Sequence, residues 1–316
     1  MSVASRPVLM ATARSLSIDR AAAEAAAALA HGGIDCMLVK GAAVARALYG
    51  DGGIRVYSDC DLLVRESDVP AAGVALRSLG FDLPRDENAA LIPEFQHSET
   101  WTRARDRATV DLHWTFIGVG APSMRVWEML RARAATMRVG ARELAVADAP
   151  TTALLAALQL LQHGPHEGVK FRNDVERAVG LLDERDWRDA ADLATRIGAE
   201  HAFGAGLRLA PGGPELAERL GVADDAAARA FSRGPPAAGA ARALELVVRR
   251  DGIAGKLRLL LWLLVPSREY LEAMYPAARR GGLHLLAVYL LRPLDLLSRA
   301  PATLAAWRRA RSAAGG

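Results

Sequence analysis

Two carboxylates stand two residues apart in Asp59-Cys60-Asp61, at the head of the run Asp59-Cys-Asp-Leu-Leu-Val64. A β-strand alternates its side chains with a period of two, so a strand here points Asp59 and Asp61 to one face and Cys60 to the other. A third acid, Asp111, lies in Thr109-Val-Asp-Leu-His-Trp114, flanked on both sides by apolar residues. If the two strands are neighbours, three carboxylates converge at one sheet edge. Such a cluster repels itself and raises its own pKa values, and a divalent cation relieves the repulsion. Oxygen ligands suit Mg²⁺ or Mn²⁺, with substrate phosphates completing the shell. The matching chemistry is an in-line displacement at phosphorus. The spacing alone is common; Glu66-Ser-Asp68 repeats it in this chain.

The upstream residues suit the other half of that reaction. Cys36-Met-Leu-Val39 reads as a short strand ending in Lys40, which passes through Gly41-Ala42-Ala43 into a helix reaching Tyr49. A helix start offers backbone N–H groups to a phosphate, and Gly41 allows close approach. Lys40 adds a point charge. Arg55 and Ser58 lie within reach of phosphate oxygens or read as loop residues. His113 shares the strand face of Asp111 and lines the site as an acid/base or acceptor-orienting group, or is structural. His97 reads as structural. His163 and His166 bracket Gly164-Pro165 at a helix end. Lys170, Arg172 and Asp174 near the next helix start either close over the nucleotide or serve as ordinary capping and surface residues.

The elements that must position these groups fall into two halves. Residues 19–31 read as an Ala-rich helix opened by Asp19, and Val69–Leu79 as a helix ended by Gly80. Strands are expected at Glu94–Arg103 and Thr109–Trp114, joined by the polar turn Ala104–Arg107, and at Glu143–Ala147. After Pro150 the apolar spacing turns helical over Thr151–His163, Phe171–Leu182 and Asp186–Ile197. Breaks follow at Pro211-Gly-Gly-Pro214 and Gly234-Pro-Pro236. Helices are then expected at Ala240–Arg250, Ile253–Val265, Leu283–Leu291 and Thr303–Arg311. The expected fold is α+β: a mixed sheet flanked by helices over residues 1–149, followed by an all-helical domain over 150–316.

The composition excludes disorder and small disulfide scaffolds: 51% of the 316 residues are hydrophobic and only two are Cys. The net charge of +4 hides an asymmetry. Residues 241–316 hold 12 Arg and 1 Lys against 5 acids, a surplus of +8, which leaves −4 for the rest. The longest apolar runs, Leu259–Val265 and Leu285–Leu291, fall far short of the ~20 residues of a spanning helix. The N-terminus lacks a continuous apolar stretch, so a soluble, cytoplasmic protein is expected. The leucines of 257–265 and 283–299 are expected to be buried by helix packing. Arg308, Arg309 and Arg311 offer contact with an anionic surface, RNA or lipid.

The run Leu38-Val-Lys-Gly-Ala-Ala-Val, Leu48-Tyr49, Ile54-Arg55 and Ser58-Asp-Cys-Asp-Leu-Leu-Val64 resembles the uncharacterised bacterial nucleotidyltransferase family of the polymerase-β-like superfamily. Asp111-Leu-His-Trp114 matches its later motif. The resemblance is specific over residues 36–114. It continues weakly at Leu161-Gln-His163, Arg172–Asp174, Val265-Pro-Ser267 and Tyr289-Leu-Leu-Arg292. It implies metal-binding and catalytic roles for Asp59, Asp61 and Asp111, and a phosphate-holding role for the Lys40–Gly41 turn. Where the superfamily carries Gly-Ser or Gly-Gly, this chain has Gly41-Ala42: the hydroxyl is missing and the backbone amides remain.

The expected activity is transfer of a nucleoside monophosphate from an NTP to a hydroxyl, or an amine, with pyrophosphate leaving. The acceptor, a small molecule, peptide or tRNA, is open at this level. A toxin-like enzyme modifying tRNA or protein is one alternative. A catalytically silent accessory module is the other, favoured by Ala42 and opposed by the intact acids.

Overall fold

A computed structural model of the chain describes residues 6–50, 55–83, 96–140, 142–225, 228–229, 247–248 and 252–312. The first elements are α1 (Arg6–His31), β1 (Met37–Leu38), α2 (Ala42–Tyr49), β2 (Cys60–Leu63) and α3 (Val69–Ser78). Next come β3 (Ser98–Arg103), β4 (Ala108–His113), α4 (Ser123–Arg131), β5 (Ala135–Val139) and β6 (Arg142–Val146). Helices follow: α5 (Ala149–Glu167), α6 (Val169–Leu181), α7 (Glu184–Arg196), α8 (Glu200–Leu207) and α9 (Gly213–Arg219). The last are α10 (Ile253–Leu264), α11 (Arg268–Met274) and α12 (Gly282–Ser312). The architecture is the expected α+β one.

The six strands form one mixed sheet in the order β3-β4-β2-β1-β6-β5. β2 runs parallel to β4 and β1 parallel to β6, and the remaining pairs are antiparallel. Strand alternation divides the side chains between two buried faces. Leu38, Cys60, Leu62, Val110 and Leu112 pack with Leu29 of α1 and Leu76 of α3. Met37 and Leu63 pack on the other face with Leu154, Leu155 and Leu158 of α5. That second cluster continues through Trp187 of α7 and Phe203 of α8 to Leu216 of α9. Helix α8 crosses α5 at Gly206, where any Cβ would run into the Ala157 carbonyl. Asp148 caps α5 by accepting from the Thr151 N–H at 2.9 Å.

Several expectations need correction. Helix α1 starts at Arg6, because nothing between Val8 and His31 breaks a helix. Asp19 therefore opens no helix. It lies mid-helix, buried, and accepts from the Tyr57 hydroxyl and from Arg46 Nη2, both at 2.7 Å. The helices expected at 283–291 and 303–311 are one helix, α12, running through Pro293 and Pro301. Each proline removes one N–H, and the chain continues past both. Helices α4, α8, α9 and α11 and strand β5 add to the expected elements; β5 turns only Val139 into the core, so its alternation is faint. The Gly234-Pro-Pro236 break, Glu94 and Ile54 lie outside the described residues, as does the 240–250 helix except for 247–248. Among the described side chains no leucine of α10 or α12 is buried: Leu283 is 82% and Leu290 67% exposed. Spacing tells which residues share a face, not whether anything covers it.

Candidate active site

The parallel pairing of β2 with β4 builds the centre. Its register sets Asp61 beside Asp111 and Leu63 beside His113. Asp111 and His113, two apart on β4, share the face on which Asp61 stands. The sequence alternation thus becomes a cluster only through a pairing between residues about fifty apart.

Asp61 is buried and holds two partners on one oxygen. Lys40 Nζ lies 3.0 Å from Asp61 Oδ1, and His113 Nε2 also lies 3.0 Å from it. Burial alone would raise the Asp61 pKa. The Lys40 ammonium and the hydrogen bonds from His113 and Lys40 outweigh it and hold the carboxyl well below the usual range. His113 is pushed down to about 4, first by burial and then by the nearby Lys40 charge, so it is neutral at physiological pH. Its Nε2 also lies 3.2 Å from Lys40 Nζ, and its Nδ1 is buried with no hydrogen-bond partner among the described residues.

Asp111 is the opposite case. Burial, and then the Asp61 charge, push it up to about 6, although the Thr100 hydroxyl hydrogen-bonds to it across the β3–β4 pair. Its Oδ1 is buried without a partner among the described residues. A buried carboxylate oxygen left unpaired is costly, and a cation is its natural complement. The donor chemistry fits one: Asp61, Asp111 and His113 each offer a ligand atom, all within 4.8 Å of one another. Asp59, half-buried just before β2, lies outside that group. Burial and the Asp61 charge raise its pKa, while Lys170, Lys40 and Arg55 pull the other way.

The phosphate-side residues divide. Gly41 starts α2 with φ 50° and ψ −109°, a conformation that L side chains avoid. A Cβ there would come within 3.1 Å of the Asp59 carbonyl oxygen and 3.9 Å of Asp61 Oδ2. The turn therefore lies directly against the acids. Ala42 is buried behind it, and Ser58 is exposed. Lys40 does not project free from the turn; its ammonium is the counter-ion of Asp61.

Arg55 is the clear correction. Its buried guanidinium clasps Asp174 through Nε and Nη2 at 2.8 and 2.7 Å, and Nη1 donates to the Gly41 carbonyl at 3.2 Å. It fixes the turn rather than presenting itself to a phosphate. Asp174, read as either closing over the nucleotide or an ordinary capping and surface residue, is fully buried and also accepts from the Tyr49 hydroxyl at 2.8 Å. This clasp ties α6 to the Gly41 turn. His97, expected to be structural, stands beside the centre, its ring centroid 5.7 Å from that of His113. Its place just ahead of β3, whose start pairs with the end of β4, is the signal that points to it.

Gly41→Ala is expected to lower stability by about 1–3 kcal/mol, the cost of a strained backbone plus a displaced Asp59 carbonyl. Urea unfolding measures it, and a change below about 0.5 kcal/mol would show that the turn tolerates a side chain.

Residues 5–211 match the family described as "Uncharacterised nucleotidyltransferase". No curated protein sequence matches the chain. Among solved structures, one similar chain is the antibiotic-resistance factor ANT(2'')-Ia, studied in solution, at 12% identity and a TM-score of 0.41. The match covers 59% of this chain and 94% of that one. Another is the crystal structure of an antigenic nucleotidyltransferase-like protein from Paracoccidioides brasiliensis, at 15% identity and a TM-score of 0.38. It covers 68% of this chain and 95% of that one.

Proposed function

The chain belongs to the uncharacterised nucleotidyltransferase family, and on that premise we propose that it moves a nucleoside monophosphate from an NTP to a hydroxyl, or an amine, of its acceptor at a divalent-metal site on β2 and β4. The observation that carries this reading is the unpaired, buried Oδ1 of Asp111 within the Asp61–Asp111–His113 group. Asp61, Asp111 and His113 would hold Mg²⁺ or Mn²⁺, with Asp59 beside them. The bound cation neutralises phosphate charge and makes the phosphorus more electrophilic. Asp61 stays ionised throughout, because Lys40 and His113 stabilise its charge. Neutral His113 keeps a lone pair available. Asp111 would accept the proton of the acceptor hydroxyl as that oxygen attacks the α-phosphorus and pyrophosphate leaves. The backbone of Gly41 and Ala42, with exposed Ser58, holds the triphosphate. Lys170, whose charge is felt at Asp59, closes the site from the helical side.

The test is metal affinity against pH. In the metal-free protein Asp111 takes up a proton as the pH falls through about 6. A proton and a cation compete for the same oxygens. Mn²⁺ affinity is therefore expected to fall about tenfold per unit below that pH and to level off above it. Calorimetric titration reads this directly. An affinity that stays constant across that pH, or no NTP binding at millimolar ligand, would sink the proposal.

A further inference from the structure

We infer that the apolar face of α12 is a docking surface for an anionic lipid bilayer. On α12, Leu283, Leu286, Leu290, Leu291, Leu294 and Leu297 are all exposed, spaced mainly by three and four residues. At 3.6 residues per turn they fall within one arc of about 140°. Pro301, also exposed, lies in the middle of that arc. The opposite side of the helix is occupied. Arg292 is buried there over the Tyr270 ring, 4.8 Å from its centroid, and the Tyr289 hydroxyl donates to the Pro266 carbonyl at 3.1 Å. The leucine face is thus what remains after the helix has packed. Helix α10 repeats the arrangement with Ile253, Leu257, Leu260, Leu261 and Leu264 exposed.

Charge decides the occupant. Residues 241–316 carry a surplus of +8. Arg280 and Arg308 are exposed, before and after the leucine run in the chain, and exposed Arg299 is paired with Asp295 at 2.9 Å. Leucines flanked by arginines are the pattern of a helix lying in the headgroup region of an anionic membrane. A second copy of the chain would bring an equal positive charge against this one. The arc is also wider than the two-in-seven seam of a paired coiled coil, and Pro301 interrupts it. A nucleic acid would leave the leucines without a partner. No helix among the described residues is long and apolar enough to cross a membrane, so the contact is peripheral.

Flotation of the full chain with vesicles tests this. Binding is expected to phosphatidylglycerol–phosphatidylcholine vesicles and to be at least about tenfold weaker to phosphatidylcholine alone. Leu290→Glu with Leu297→Glu should reduce binding more than about tenfold with an unchanged circular dichroism spectrum. Both residues are 67% exposed, so the fold does not depend on them. Arg299→Glu with Arg308→Glu should weaken binding to the anionic vesicles alone. No binding to anionic vesicles, or binding that survives the leucine pair, overturns the inference. So does a dimer seen by light scattering that the leucine pair dissociates while lipid binding persists.

Discussion

Asp61→Asn is expected to lower nucleotidyl transfer by about three orders of magnitude, equivalent to about 4 kcal/mol at the transition state. The size follows from where Asp61 sits. It is the only one of the three acids whose carboxyl is held well below the usual range, and it bridges Lys40 and His113 on a single oxygen. An amide keeps the shape and removes the charge. The Lys40 ammonium then loses its counter-charge, and the group of ligand atoms loses its one firmly ionised member. Asp111 responds in the opposite sense. Burial still raises it, but the second contribution, the Asp61 charge, is gone, so its titration moves down from about 6. Single-turnover assays with labelled NTP read the first effect, and carboxyl NMR shifts against pH read the second. Transfer within tenfold of the parent, with Mn²⁺ affinity intact, would remove Asp61 from the site. Unfolding in urea separates loss of chemistry from loss of fold.

The largest effect on stability is expected from Asp174→Ala, about 3–5 kcal/mol. Asp174 is fully buried, the side chain of Arg55 is 3% exposed, and their 2.7 Å contact is part of a two-pronged bond. Removing the carboxylate leaves a guanidinium buried without a counter-charge and the Tyr49 hydroxyl without its acceptor. Arg55→Met together with Asp174→Leu should recover much of the loss, because two apolar side chains carry no desolvation cost. The double variant should nonetheless bind Mn²⁺–NTP less well, since the Gly41 carbonyl loses its donor and the turn is no longer tied to α6. Urea midpoints and nucleotide calorimetry on the same three proteins test both statements. Equal stability of Asp174→Ala and the parent would mean that the clasp contributes nothing.

Much of the site is legible in the residues themselves. Period-two alternation places Asp111 and His113 on one face, because strand geometry acts over two residues, while Asp59 stands before β2 and outside the ligand group. Likewise, a glycine between an apolar strand and a helix marks a turn that favours glycine, and Gly41 takes such a conformation. Other residues mislead for reasons equally physical. Arg55 reads as a phosphate ligand or a loop residue, and Asp174 as closing over the nucleotide or as an ordinary capping and surface residue. They lie 119 positions apart and consume each other in a buried pair. Lys40 reads as a phosphate ligand, yet packing turns its ammonium onto Asp61.

The chemistry available to this chain is therefore written in its residue order: which acids stand on a common face, where the backbone must turn, and which half is basic. These are local or additive properties, set by a few bonds of backbone geometry or by counting charges. Which strands become neighbours, which charges are spent on partners inside, and which leucines stay uncovered are settled only by tertiary packing. Those outcomes depend on contacts between distant segments, where the cost of burying a charge or a hydroxyl is met only if a complementary group arrives from elsewhere in the fold.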